Sequence, residues 1–83
     1  MIEIGRVVMA KSGRDRNGFY VVVRAADEKT VYLADGKLRK LEKPKKKNRK
    51  HIQVTKAVLA PEMYRTDKAL RESLRQLRQT HEG

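Results

Sequence analysis

The stretch FYVVVRAADEKTVYLADG, residues 19–36, decides the fold. Two runs rich in β-branched and aromatic residues, FYVVVRAA (19–26) and VYLAD (31–35), flank a charged tetrapeptide, DEKT (27–30). Such residues fit a pleated, half-buried surface, and a polar link this short returns the chain antiparallel to itself. In the second run Val31 and Leu33 fall on one side and Tyr32 and Ala34 on the other, the period of a strand. Asp35-Gly36 is a hairpin dipeptide because both positions tolerate positive φ.

Working outward, KLRKL (37–41) follows that turn and reads as the next strand, although Leu38 and Leu41 break strict alternation. Upstream, IGRVVMA (4–10) has strand composition and is separated from residue 19 by SGRDRNG (12–18), a glycine-bounded turn ending in Asn17-Gly18. Downstream, HIQVT (51–55) alternates again, with Ile52 and Val54 expected to face inward. Five short strands at this spacing predict a mostly β protein, a small antiparallel barrel over residues 1–60.

The period then changes. From Pro61, a favoured first helical residue, PEMYRTDKALRESLRQLRQT runs without a further proline or any glycine. Met63, Leu70, Leu74 and Leu77 recur at helical spacing, so residues 61–83 are expected to form a C-terminal helix with a frayed tail. Its apolar stripe is expected to pack on the barrel, with docking to a protein partner as the alternative.

An 83-residue chain has room for one domain with a modest core. Its formal charge of +11 implies a partner of opposite sign. The distribution is sharper than the total. Residues 1–36 carry a net +1 and residues 61–83 a net +1, while residues 37–60 carry +9. The peak is KPKKKNRK (43–50), six cations and no anion in eight positions, expected to form a basic loop. Cations at that density displace the counterions condensed on nucleic acid. Lys43, Lys45, Lys46, Lys47, Arg49 and Lys50 are the candidate phosphate contacts, and Lys37, Arg39 and Lys40 extend them along the preceding segment. Lysine supplies attraction with little geometric selectivity, so this composition predicts affinity more than specificity.

Other classes find little support. The absence of cysteine excludes disulfides and thiolate metal sites. His51 and His81 are too few and too distant in sequence to suggest a metal centre. SGRDRNG lacks the GK[ST] ending of a nucleotide-cradling loop, and neither Ser12 nor Ser73 has a nucleophile signature. No catalysis, cofactor or metal is therefore expected. No window approaches the ~18 apolar residues that span a bilayer, and the cations peak outside the predicted helix, against a membrane-surface role. The N-terminus shows no basic segment followed by an apolar run, so a soluble, cytoplasmic protein is expected. Phe19, Tyr20, Tyr32 and Tyr64 are the only aromatics. So few rings favour recognition of a folded RNA's shape over the reading of a single strand.

Taken together, GRVV, SGRDRNG, the valine-rich run, DGKLRKL and KPKKKNRKHIQVT resemble a KOW-motif domain over Gly5–Thr55, about 51 of the 83 residues. More narrowly, they are similar to bacterial KOW-domain RNA-binding proteins related to the fourteenth large-subunit ribosomal protein of archaea and eukaryotes. Many KOW motifs carry another glycine soon after the position of Gly18, where this chain has Phe19, Tyr20 and Val21. That departure places it nearer the ribosomal-protein-like branch than the transcription-elongation branch. The resemblance implies an SH3-like β-barrel that binds RNA, usually ribosomal RNA, and so a role linked to the ribosome or translation. It also implies use of the first inter-strand loop, Lys11 to Gly18, with Lys11, Arg14 and Arg16 as donors. The alternative function is a transcription-linked or adaptor barrel that binds a protein through its strand faces or C-terminal helix.

Overall fold

The computed structural model describes residues 2–11 and 18–81. Five strands form one antiparallel sheet: β1 (Arg6–Ala10), β2 (Phe19–Ala25), β3 (Thr30–Ala34), β4 (Lys45–Asn48) and β5 (Ile52–Val58). A 3-10 turn, Arg49–His51, joins β4 to β5; another, Pro61–Met63, precedes a single helix, α1 (Asp67–His81). The architecture is mostly β with a C-terminal helix, as the sequence predicts.

The strand order is β4-β3-β2-β1-β5, so β4 and β5 are the two edges and the sheet is not closed. It is nevertheless strongly coiled. Laid flat, the outer strands of five would lie ~19 Å apart at ~4.8 Å per step. Asn48 and Ile52 are separated by only three residues, whose full extension reaches ~14 Å. The amide of Arg49 donates to the carbonyl of Lys29 at 2.8 Å, and that of Lys11 to the carbonyl of His51 at 2.8 Å. The 3-10 turn thus ties the β2–β3 turn to the far end of β1.

Coiling gives the sheet two buried faces. Val8 and Ala10, Tyr20 and Val22, Val31 and Leu33, Ile52 and Ile2 fill one of them. No described helix lies on that face, so the sheet buries it by curling over it. Val7, Phe19, Val21, Ala34 and Leu59 make the other, and Leu70 and Leu74 of α1 cover it. Leu77 is half-buried beside them, whereas Met63 is left exposed. The predicted apolar stripe therefore completes the core rather than waiting for a partner. A fully buried leucine contributes about 1.5–3 kcal/mol of hydrophobic stabilisation.

Three expectations are corrected and a fourth is qualified. KLRKL is not a strand. Asp35 Oδ1 accepts from the amides of Lys37 at 2.9 Å and Arg39 at 2.8 Å, and the amides of Asp35 and Gly36 both donate to the Arg39 carbonyl. That network, with Gly36 at φ +79°, folds residues 35–39 into a compact turn and leaves Leu38 75% exposed. The basic run is correspondingly not a loop: Lys45–Asn48 is β4 itself, paired to β3 with Leu33 opposite Lys45 and Thr30 opposite Asn48. Val54 stands opposite Val8, as Ile52 does opposite Ala10, and so keeps the expected side of the strand, but on this edge strand it is left 47% exposed. Pro61 opens a 3-10 turn, not the helix; α1 begins only after Thr66, whose Oγ1 accepts from the Ala69 amide at 3.1 Å.

Candidate nucleic-acid interface

Alternation along β4 deals the lysines to both sides of an edge strand. Lys46 stands opposite Tyr32, and Tyr32 stands opposite Arg24 on β2. The three form one cross-strand row, with the Arg24 guanidinium 5.7 Å from the centre of the Tyr32 ring, within cation–π range. Arg24 and Lys46 are exposed and Tyr32 is half-buried. Lys45 and Lys47 register with Leu33 and Val31, point to the other side and are half-buried. Their stems can cover the edge of that core while the ammonium groups reach water.

The 3-10 turn continues the cationic belt. Asn48 Oδ1 accepts from the Lys50 amide at 3.0 Å, capping the turn. Arg49 Nη1 donates to the Glu28 carbonyl at 3.1 Å, so this arginine pins the turn to residues 28–29 as well as presenting charge. A shallow hollow of about 520 Å³ opens there, lined by Glu28, Lys29, Asn48, Arg49 and Lys50. The bond from the Lys11 amide to the His51 carbonyl holds the backbone of Lys11 at the end of that turn. Beside the hollow, Asp27 Oδ1 accepts from the Lys29 amide at 2.8 Å, which holds the Asp27 carboxyl below the usual aspartate range.

Lys45, Lys46, Lys47, Arg49, Lys50 and Lys11 are thus brought into one belt. Lys43 leads into it through a turn in which its amide donates to the Lys40 carbonyl at 2.9 Å. Lys37 and Lys40 do not join the belt; they face α1 across a separate groove. Arg39 is half-buried in the 35–39 turn. Arg14 and Arg16 lie outside the described residues. Sequence reasoning missed Arg24, whose membership comes only from strand register. It also missed Arg71, Arg75 and Arg78, hidden by the near-neutral count of residues 61–83.

Among the described residues no group of three or more His, Asp or Glu side chains could hold a metal ion. No described helix is long and apolar enough to cross a membrane. No family model and no curated protein matches the chain.

Proposed function

We propose that this is a non-catalytic, cytoplasmic RNA-binding protein that grips structured RNA, ribosomal RNA first among candidates, through β4 and the 3-10 turn that follows it. The observation that carries this reading is the conversion of the lysine run into an edge strand. Edge strands often carry a lysine to discourage pairing with other sheets. Three in succession, continued by Arg49 and Lys50 and joined by Lys11, exceed that need. Duplex nucleic acid carries a charge every ~1.7 Å of its axis, and a rigid row of cations meets it without ordering a loop. The resemblance of Gly5–Thr55 to ribosomal-protein-like KOW domains supports RNA, and translation, over DNA.

Fluorescence anisotropy with a blunt RNA hairpin, a DNA duplex of the same sequence and polyglutamate as competitor tests the reading. Binding that prefers the RNA and resists polyglutamate is expected. Indifference to both nucleic acids in low salt would end it.

A second reading, an adaptor that binds protein, draws on the opposite edge. Val54 and Val58 are 47% and 46% exposed on β5, and the exposed Ile4 lies two residues before Arg6, which pairs with Val58. An apolar edge strand can accept an added strand from a partner. Val54→Lys would abolish such binding and leave RNA affinity intact.

A further inference from the structure

The folded chain has a second basic surface that its linear charge count conceals. Residues 35–40 and α1 enclose a groove of about 670 Å³. Its walls are Lys37 and Lys40 on one side and Arg71, Arg75 and Arg78 on the other, the arginines lying on one helix flank at spacings of four and three. Phe19 and Leu74 lie between them. The two walls are held together directly. Arg71 Nη1 donates to the Gly36 carbonyl at 2.8 Å, and Asp67 Oδ1 accepts from the Leu41 amide at 2.9 Å.

The carboxylates in the groove are already engaged. Asp35 Oδ1 accepts two backbone amides, and Glu72 pairs with Arg75 at 2.7 Å. No described carboxylate lies within salt-bridge reach of Lys37, Lys40 or Arg78. The Arg78 guanidinium lies 5.9 Å from the centre of the Phe19 ring and stays exposed. A guanidinium resting on one ring keeps its other face open for a nucleobase.

We propose that this groove binds a single-stranded RNA segment, its phosphates on Lys37 and Lys40 and a base on Arg78. The inference rests on the RNA-binding reading above and adds a distinct contact to it. At about 670 Å³ the groove has the size of a small-ligand pocket, and one strand presents the alternating phosphates and flat bases that its cationic walls and stacking plane accept.

The test uses the full chain and two probes, a blunt RNA hairpin and the same hairpin with a short oligouridine tail. The tail is expected to tighten binding about tenfold, the effect of a single good stack. Lys37→Ala/Lys40→Ala and Arg78→Ala should each remove most of that gain and leave blunt-hairpin affinity within about twofold. Lys45→Ala/Lys46→Ala/Lys47→Ala should weaken the hairpin and keep the tail's increment. Lys56→Ala/Lys68→Ala, which removes charge elsewhere, should spare the increment, and melting midpoints confirm that each variant folds. A tail that adds nothing, or groove variants that weaken both probes equally, overturns the groove. A chain that ignores the blunt hairpin but gains from the tail overturns the β4 reading and supports the groove; one that ignores both probes overturns both.

Discussion

Asp67, in the first turn of α1, accepts the backbone amide of Leu41 through Oδ1 at 2.9 Å, across 26 positions of sequence. One carboxylate thereby does two jobs. It places negative charge at the positive end of the helix dipole, and it satisfies an amide that the 35–41 turn would otherwise leave open. Turn and helix are each too short to be stable alone, so each is ordered by the other.

Breaking that link is therefore expected to loosen both elements. Asp67→Ala should cost about 1–2 kcal/mol in urea denaturation, combining a lost charged hydrogen bond with a lost dipole contact. Asp67→Asn keeps an acceptor without the charge and should cost less. Equal stability of both variants and the parent would show that the bond is incidental.

Gly36 makes a steric case at the same junction. Its φ is +79°, and a Cβ there would lie 2.4 Å from the Asp67 carbonyl oxygen. Neither the backbone conformation nor the helix can yield cheaply. Gly36→Ala should destabilise by about 2 kcal/mol or more, read as a lower urea midpoint at unchanged slope. The same reasoning applies to Gly5, at φ +95°, where the added carbon would lie 2.7 Å from the Leu59 carbonyl oxygen.

The helix stripe supplies core rather than a detachable dock. Leu70 and Leu74 are buried against Val7, Phe19, Val21 and Ala34, and the Ser73 hydroxyl donates to the Met63 carbonyl at 2.9 Å. Leu74→Ala should cost about 2–5 kcal/mol. Removing residues 62–83 should yield a chain without a cooperative unfolding transition. A truncated protein that still melts sharply would return the helix to the status of an appendage.

The strand content was legible because β1, β2 and β3 obey local rules, namely β-branched runs, alternation and turn dipeptides. The element that failed was the fourth strand. KLRKL has the leucines and KPKKKNRK has none, so local composition favours the wrong segment. What decides is a side chain rather than the strand pattern: Asp35 consumes the amides of Lys37 and Arg39, which forces the chain to turn before it can pair with β3. Lysines are then tolerated in β4 because an edge strand lets half-buried stems lead toward the surface. The cationic belt was readable as charge density in one dimension. The groove was not, since it arises only when an almost neutral helix is laid beside Lys37 and Lys40.

Binding through β4 should carry a distinct salt signature. If about four phosphates are engaged, log K should fall with log salt at a slope of about −3. Lys45→Ala/Lys46→Ala/Lys47→Ala should flatten the slope and weaken structured RNAs of unrelated sequence alike. An affinity that salt does not change would contradict a phosphate grip.

Position on the strand, not charge alone, should rank the three lysines. Lys46 is exposed beside Tyr32 and Arg24, whereas Lys45 and Lys47 are half-buried against Leu33 and Val31. An RNA approaching the outer side of β4 meets Lys46 and Arg24 together. Single substitutions Lys46→Ala and Arg24→Ala should each lower the salt slope by about 1 with little change in stability. Lys45→Ala and Lys47→Ala should instead act more on unfolding midpoint than on the slope, because their stems shield core at an open edge. Tyr32→Phe keeps the ring beneath Arg24 and should bind as the parent does, while Tyr32→Ala frees that guanidinium and should weaken binding along with Arg24→Ala. Anisotropy titrations of the six variants at several salt concentrations, paired with urea melts, separate the two patterns. Equal slopes across all three lysine variants would mean that RNA feels only the net charge of the strand and not its geometry.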